Sequence, residues 1–338
     1  MSNELLKVLD EYNRLGIQQQ LDYDKFYLYS IITHSTAIEG STITEVENQL
    51  LFDEGLSANK PMPEQLMNLD LKAAYEESFA LAKNHIDFSI ALLCKLAGLV
   101  MKNTGSIYNT IAGEFSSAKG DLRLLNVSAG HGGKSYLAWQ KVADRLEKFC
   151  CWINEKRKEI DKSDIQKIYE LSFEAHYRIV SIHPWADGNG RMSRLIMNII
   201  QYEAGIVPSI VKKEKRLEYI QSLSQSQDLE DSSVFIDFML NHHIENLKQQ
   251  IIEYKDSMES DLTDNKQKSS EKKFGDNKKS SEIILELLKD NPKLSAKKLS
   301  ETIGITSRAV EKQLAALVEK GLIKREGSPK GGYWEVLE

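Results

Sequence analysis

A chain of 338 residues with 41% apolar and 28% charged side chains has the composition of a soluble protein with two or three domains. Its net charge of −6 excludes a general polyanion-binding protein, although residues 278–338 carry 12 basic against 9 acidic side chains. Three cysteines without CxxC spacing argue against a disulfide framework or a zinc site. The N-terminus lacks a signal-peptide pattern and no apolar run is long enough to span a bilayer, so we expect a cytoplasmic protein without a membrane partner.

Helix-period patterns dominate the first 250 residues. The pattern predicts a helix from about Asp24 to Glu39, which Gly40 ends. Thr44 and Glu47 have the spacing of a capping box and predict the start of the next helix. Further helices are predicted over 64–83, 88–102, 140–158, from Ser163 to Pro184, and from near Gly190 to Gly205.

Two segments depart from this helical pattern. Residues 113–139 are rich in Gly and Ser with short β-type pieces, which predicts a flap or hairpin. Residues 255–279 are too polar to join a core, which predicts a flexible linker. We therefore divide the chain into an N-terminal helical region (1–110), a core (111–254), the linker (255–279) and a C-terminal domain (280–338).

The C-terminal domain has the order helix, turn, helix, hairpin, and resembles the winged-helix domains of bacterial transcription regulators. The predicted elements are a helix over 295–303, a second helix from Thr306 to Lys320, and β-type pieces over 322–325 and 333–336. The candidate DNA contacts are Ser307, Arg308 and Lys312 at the start of the recognition helix, with Lys324, Arg325 and Lys330 around the wing. A net charge of only +3 leaves protein docking open as an alternative.

The stretch HPWADGNGR, residues 183–191, concentrates unusual chemistry in one turn before a predicted helix. Unpaired N–H groups and the positive end of the dipole make a helix N-terminus a site for anions. Gly188 and Gly190 let the backbone approach a ligand closely, and Asn189 tolerates a left-handed conformation between them. The turn therefore predicts a nest of N–H donors for phosphate oxygens.

Charged side chains surround this nest. Arg191 and Arg194 are three positions apart on one helix face, where both guanidinium groups can bind phosphate. Asp187 is a hard oxygen ligand suited to Mg²⁺. His183 ends the preceding helix and is a candidate general base near neutral pH, while Trp185 anchors the turn in the core.

The motif HPWADGNGRMSR resembles the signature of the Fic family, HPFx(D/E)GNGRxxR, with Trp185 in the place of the usual Phe. The resemblance implies an all-α core with a small β-hairpin flap, and transfer of AMP from ATP to a Ser, Thr or Tyr hydroxyl of a target protein. It also implies that His183 deprotonates the hydroxyl and that Asp187 holds Mg²⁺. The implied phosphate-binding residues are Gly188, Asn189, Gly190, Arg191 and Arg194, with Arg194 on the γ-phosphate.

Two further positions resemble the family less closely. Tyr219 matches a tyrosine that packs near adenine in relatives, whereas Ile220 and Gln227 replace a second tyrosine and an asparagine. The segment near 122–138 resembles the flap that aligns a target strand, although its sequence VSAGHGGKSY departs from common versions.

The stretch HSTAIEG places Glu39 in the last turn of a helix, where a carboxylate meets the negative end of the dipole. Ser35 to Gly40 resembles the family's inhibitory motif, (S/T)xxxE(G/N). The resemblance implies that Glu39 pairs with Arg194 and so takes the guanidinium that the γ-phosphate needs. We therefore predict an autoinhibited enzyme.

Other readings of the sequence stay open. Glu39 could position a water that removes AMP from a modified target, which would make the protein a de-AMPylase. The chain could instead be a DNA-binding regulator whose Fic part only senses nucleotide. Transfer of phosphocholine, UMP or phosphate, as in divergent relatives, fits the undisturbed GNGRMSR less well, and a homodimer remains an option.

Overall fold

The computed structural model describes residues 2–55, 59–129 and 135–270 of the chain. In the C-terminal region it describes residues 284–285, 287–289, 291–292, 294–303, 310, 313–314, 317–318, 320–326 and 333–337. The chain forms two compact units, Met1–Asp256 and Ser257–Glu338. No described helix is long and apolar enough to pass through a membrane.

The first unit is a helical assembly around one apolar core. Its helices are α1 (Ser2–Arg14), α2 (Tyr23–Ile38), α3 (Glu45–Asp53), α4 (Met62–Lys83), α5 (Ile90–Val100), α6 (Val142–Glu159), α7 (Ile165–Ile182), α8 (Asn189–Glu203), α9 (Arg216–Leu229) and the first part of α10 (Ser233–Ser270), which continues beyond Asp256. Helix α8 is buried on nearly all sides and packs most extensively against α7 and then α4. The predicted all-α core is confirmed, and α8 lies at its centre.

The helix boundaries follow local capping chemistry. Thr44 precedes α3 and accepts a hydrogen bond from Glu47 N, while the Glu47 carboxylate accepts one from Thr44 N at 2.8 Å. The predicted capping box is therefore confirmed. At α7 the cap is Asp164, which accepts from Lys167 N, and Ser163 instead hydrogen-bonds Asp161. The predicted helix start at Ser163 is therefore early, because the carboxylate of Asp164 is also a strong cap and α7 begins after it.

A short antiparallel hairpin follows α5. Strand β1 (Ile107–Thr110) pairs with β2 (Gly113–Ser116), with Ile107 opposite Ser116. This hairpin lies largely before the segment where the sequence predicted one. Inside 122–138, Ser128 and Ser135 form an isolated antiparallel bridge, and residues 130–134 between them lie outside the described part of the chain. A flap at this position stays a prediction.

Helix α10 runs to Ser270 and so enters the segment predicted as a linker. Residues 255–270 contain neither Gly nor Pro, and a helix that is already anchored extends at little cost. The prediction of a flexible linker from residue 255 is therefore wrong for this stretch. Residues 271–279 lie outside the described part of the chain.

The second unit has its own small apolar core. It contains α11 (Ala296–Ile303) and a hairpin of β3 (Ile323–Glu326) with β4 (Tyr333–Val336), and residues 310, 313–314 and 317–318 are helical. The core side chains are Ile284, Leu288, Leu299, Val310, Leu314, Leu317 and Ile323. Among the candidate DNA contacts, Lys324 and Arg325 are exposed on β3, whereas Ser307, Arg308, Lys312 and Lys330 lie outside the described residues.

Candidate active site

The turn between α7 and α8 is shaped by two left-handed residues. His183 caps the C-terminus of α7 with φ 51°, and Pro184 then prevents the helix from continuing. Gly188 precedes α8 with φ 81°. Asn189 is the first helical residue of α8, so the left-handed conformation that an asparagine tolerates is not used here. Gly188 already has the left-handed backbone conformation that turns the chain into the first residue of α8.

Asn189 instead closes the turn through two hydrogen bonds to one residue. Its side-chain oxygen accepts from Trp185 N at 3.1 Å, and its Nδ2 donates to Trp185 O at 2.8 Å. The Trp185 side chain is only 1% exposed, and its indole N–H donates to Gly120 O at 3.1 Å. Trp185 therefore anchors the turn in the core, as the sequence predicted.

The two glycines are constrained by different neighbours. A Cβ on Gly188 would lie 2.8 Å from Met101 Sδ, and a Cβ on Gly190 would collide with Glu39 Oε1. The Glu39 carboxylate thus occupies the space beside Gly190 at the N-terminus of α8. Because a helix N-terminus favours anions, Glu39 takes a position suited to a ligand's negative charge.

Arg194 is almost fully engaged by protein partners. Its guanidinium donates to Glu39 Oε1 at 2.6 Å, to Ser35 Oγ at 2.8 Å and to Ser35 O at 3.0 Å. A further bond of 3.3 Å joins Arg194 Nη1 to the Tyr219 hydroxyl. The Arg194 side chain is 3% exposed, so little of the guanidinium is left for a ligand while α2 is in place.

The charge of Glu39 is maintained by this arginine. Burial by itself would raise the pKa of Glu39, but the ion pair and hydrogen bond with Arg194 lower it below its usual value. Arg191 and Arg216 lower the pKa of Glu39 further. Arg216 also donates to Ile38 O at 2.7 Å, which holds the C-terminus of α2. Glu39 is therefore an ionised carboxylate at neutral pH.

His183 lies between the turn and the segment after the hairpin. The Tyr136 ring stacks on the imidazole with 3.9 Å between ring centroids and 18° between planes. Burial lowers the pKa of His183 to about 4. The imidazole is consequently neutral near pH 7 and able to accept a proton.

A buried arginine connects His183 to the same segment. Arg123 donates through Nε to His183 O at 2.7 Å, through Nη1 to Leu125 O at 2.7 Å, and through Nη2 to Leu137 O. The side chain of Arg123 therefore fixes Leu125 and Leu137 against the turn. Neither Arg123 nor Tyr136 could be predicted from the sequence, because no local motif relates them to His183.

Asp187 and Arg191 have different environments. Asp187 has a 60% exposed side chain and accepts a hydrogen bond from Gly188 N at 2.6 Å. Arg191 is buried and donates to Val100 O and to Met101 Sδ. No group of three or more His, Cys, Asp or Glu side chains in the described part of the chain could hold a metal. An exposed single carboxylate fits Mg²⁺ that arrives with phosphates, since Mg²⁺ keeps several waters and binds through few carboxylates.

Tyr219 is buried below Arg194 and is 1% exposed. Its hydroxyl lies 2.9 Å from His176 Nε2, which in turn lies 3.0 Å from Ser193 Oγ. In this structure Tyr219 positions Arg194, and its buried ring offers no open surface for a base. The role at adenine that the family resemblance implied therefore stays a prediction.

Comparisons with known proteins agree with this geometry. A model of the Fic/DOC family matches residues 87–201, which include His183, Asp187 and Arg194. Residues 87–201 are therefore similar to a Fic domain. A model described as winged helix-turn-helix DNA-binding matches residues 280–324, which confirms the predicted class of the C-terminal region.

The similarity to individual relatives and solved structures extends beyond residues 87–201. Protein adenylyltransferase fic-1 of Caenorhabditis elegans is 26% identical over 239 residues, covering 69% of this chain and 43% of its own length. Protein adenylyltransferase Fic of Drosophila melanogaster is 26% identical over 58% of this chain and 37% of its own length. The chain thus spans less than half the length of these curated relatives.

Two solved structures show the same fold. A Fic domain containing signaling protein from Bacteroides thetaiotaomicron aligns with a TM-score of 0.62 at 19% identity, covering 75% of this chain and 98% of that chain. A Fic family protein from Desulfovibrio desulfuricans aligns with a TM-score of 0.54 at 17% identity, covering 99% of this chain and 96% of that one.

Proposed function

We propose that this protein is an adenylyltransferase that transfers AMP from ATP to a Ser, Thr or Tyr hydroxyl of a target protein, and that Glu39 restrains the reaction. The observation that carries the proposal is the neutral His183 imidazole beside the anion-binding start of α8, where Glu39 now pairs with Arg194. Two curated relatives that are named protein adenylyltransferases support this class of reaction.

The proposed step is an in-line displacement at the α-phosphorus of ATP. The target hydroxyl gives its proton to His183, and its oxygen forms a bond to the α-phosphorus. The bond from that phosphorus to the bridging oxygen breaks, and pyrophosphate leaves with the bonding electrons. Backbone N–H groups of Gly188, Asn189 and Gly190 bind phosphate oxygens at the start of α8, so positioning and charge supply most of the acceleration.

Asp187 would hold Mg²⁺, which neutralises phosphate charge when bound. Arg191 and Arg194 would bind further phosphate oxygens, Arg194 the γ-phosphate. Arg194 must first exchange Glu39 for a ligand oxygen, because its guanidinium is already hydrogen-bonded on each nitrogen. This exchange is the physical basis of the proposed autoinhibition.

The test uses ATP labelled separately at the α- and γ-phosphate, with Mg²⁺ and mass spectrometry of the modified chain and of added proteins. We expect α-label on protein in the Glu39→Gly variant, less in the wild type, and none in the double variant Glu39→Gly with His183→Ala. Replacing the exposed His85 by Ala in the Glu39→Gly background is the matched control and should leave labelling unchanged. Incorporation of γ-label, or labelling that persists without His183, would overturn the proposal.

A second candidate function concerns the C-terminal unit. We infer that it binds duplex DNA, because a winged helix-turn-helix model matches it and Lys324 and Arg325 are exposed on the wing strand β3. Arg325 packs over the Trp334 ring at 5.2 Å, which fixes its side chain on the hairpin. The full chain should bind a DNA duplex less tightly as salt rises, and Lys324→Ala should reduce that salt dependence. Salt-independent binding, or none, would contradict this function.

Removal of AMP is an alternative activity of the same site. Glu39 is one-third exposed and close to the turn, so it could orient a water for attack on an AMP-modified target. A de-AMPylase would release AMP from a modified chain faster in the wild type than in Glu39→Gly. A faster release from Glu39→Gly would exclude it.

A further inference from the structure

A cavity of about 390 Å³ lies at the other end of the helix that carries Glu39. It forms where the N-terminal half of α2 meets α4, the C-terminal end of α8 and the chain that follows α8. Four aromatic side chains and one carboxylate line it, namely Tyr23, Asp24 and Tyr27 of α2, Phe79 of α4 and Tyr202 of α8. Its size is in the range of small-molecule sites.

The aromatic rings form two walls. Tyr23 and Tyr27 are stacked with 5.2 Å between centroids, and Phe79 and Tyr202 meet edge to face at 4.8 Å. The hydroxyls on the α2 side have other partners, since Tyr23 bonds Tyr12 Oη at 2.6 Å and Tyr27 donates to Pro208 O at 2.7 Å. The rings rather than these hydroxyls are therefore what the walls offer to a ligand.

The charge around the cavity is negative. Asp24 is exposed at its edge and is the charged side chain among the described residues that line it. The neighbouring Lys25 is paired with Asp53 at 2.7 Å, on the side of α3. The C-terminal end of α8 also faces this region, and the end of a helix dipole adds negative potential.

Electron-rich ring faces and an uncompensated carboxylate select against phosphates and carboxylates and in favour of cations. A methylated ammonium group packs on aromatic faces through cation–π attraction and presents methyl groups to them. We propose that this cavity binds a small organic cation of the quaternary or methylated ammonium class. The cationic head lies against the rings, and Asp24 balances its charge.

The position of the cavity gives the ligand a regulatory effect, which rests on the proposed transferase function. Asp24 and Glu39 lie on the same helix, about 22 Å apart along its axis. A ligand that contacts α2 together with α4 and α8 stabilises the arrangement in which α2 is seated. The organic cation therefore favours the Glu39–Arg194 pair and lowers AMP transfer.

Binding is tested by calorimetry with the full-length protein and choline as the probe. The control ligand is 3,3-dimethylbutanol, the uncharged carbon analogue of choline, and the control variant is Asp10→Asn, an exposed carboxylate on α1. We expect choline to bind, and at least about 10-fold weaker binding both for the neutral analogue and for Asp24→Asn. Thermal unfolding verifies that Asp24→Asn is folded.

Absence of heat at millimolar choline, equal binding of the neutral analogue, or equal binding by Asp24→Asn would overturn the site. A second readout measures AMP transfer: choline should slow the wild type and leave Glu39→Gly unaffected. Binding without an effect on the wild-type rate would overturn the regulatory part. If neither variant transfers AMP while choline still binds, the transferase proposal has failed and the cation site stands.

Discussion

The two ends of α2 are attached to the protein by different chemistry. At the N-terminal end, Tyr23 and Tyr27 pack their rings beside α4 and α8. At the C-terminal end, Ser35 and Glu39 make hydrogen bonds and an ion pair with Arg194. The aromatic packing contains no anion that a phosphate could replace, whereas the carboxylate of the ion pair can be exchanged for another anion. The helix is thus held by one end and can respond at the other.

A buried polar network lies between these ends. Thr36 Oγ1 donates to Asn68 Oδ1 at 2.8 Å, and Asn48 Nδ2 donates to the same oxygen at 2.9 Å and to Thr33 Oγ1 at 2.7 Å. Because each buried polar group needs its partner, this network fixes the rotation and register of α2 against α3 and α4. It therefore determines where Glu39 lies.

The largest expected effect comes from removing the apolar attachment. Tyr27→Ala should lower the free energy of unfolding by about 3–5 kcal/mol, because it removes a buried ring from the core. Tyr27→Phe, which loses only the bond to Pro208 O, should cost about 1 kcal/mol. Urea unfolding measures both. Equal effects of the two variants would show that the ring does not hold this end.

The second prediction concerns the polar C-terminal end of α2. Glu39→Gly should raise AMP transfer about 10- to 100-fold, the equivalent of one charge-assisted hydrogen bond, with a much smaller change in stability than Tyr27→Ala. Glu54→Gly is the matched control, since Glu54 also caps a helix C-terminus, that of α3. Initial rates with α-labelled ATP give the comparison. A large rise in AMP transfer by the Glu54→Gly variant would show that the effect is not specific to Glu39.

The buried polar network at the middle of α2 should have an intermediate effect on stability and on AMP transfer. Asn68→Ala removes the acceptor that Thr36 and Asn48 share and should cost about 1–3 kcal/mol while raising AMP transfer several-fold. Asn84→Ala, at the C-terminal cap of the helix α4 that carries Asn68, removes only an exposed side-chain bond and should change neither quantity. Parallel unfolding and rate measurements separate the two effects. A destabilised Asn68 variant with wild-type transfer would show that the network does not position Glu39.

The last prediction concerns pH. Burial lowers the pKa of His176, next to Tyr219, well below its ordinary value of 6.5 and lowers those of His183 and His242 to about 4. Below pH 6.5 the unfolded chain therefore binds more protons than the folded one, and stability falls as the pH drops towards 4. Each imidazole contributes a loss of up to about 1.4 kcal/mol per pH unit.

His176→Gln should remove one such contribution and flatten the dependence of unfolding free energy on pH between about 6.5 and 4. His85→Gln is the control, because His85 is exposed and paired with Glu203. Urea midpoints across this range provide the measurement. If unfolding free energy depended on pH as steeply in His176→Gln as in the wild type, the His176 imidazole would not be held neutral beside the polar end of α2.

Much of the fold could be predicted because its signals are local. The helical period, the Thr44 capping box and the turn from His183 to Gly190 each involve residues within one or two turns of each other. The sequence left open which residue of the turn is left-handed, since the choice between Gly188 and Asn189 depends on how α8 packs. The continuation of α10 to Ser270 was missed because composition alone underestimates a helix that packing has already started.

The sequence by itself determined the Fic motif, its imidazole, its carboxylate and its two arginines, together with an acidic residue at the unfavourable end of a helix. Only the tertiary structure decided which groups those side chains meet. Arg194 and Glu39 are 155 residues apart, and Tyr136 reaches His183 from another segment. No local pattern encodes such contacts, because they arise when packing of the helices around α8 brings distant positions together.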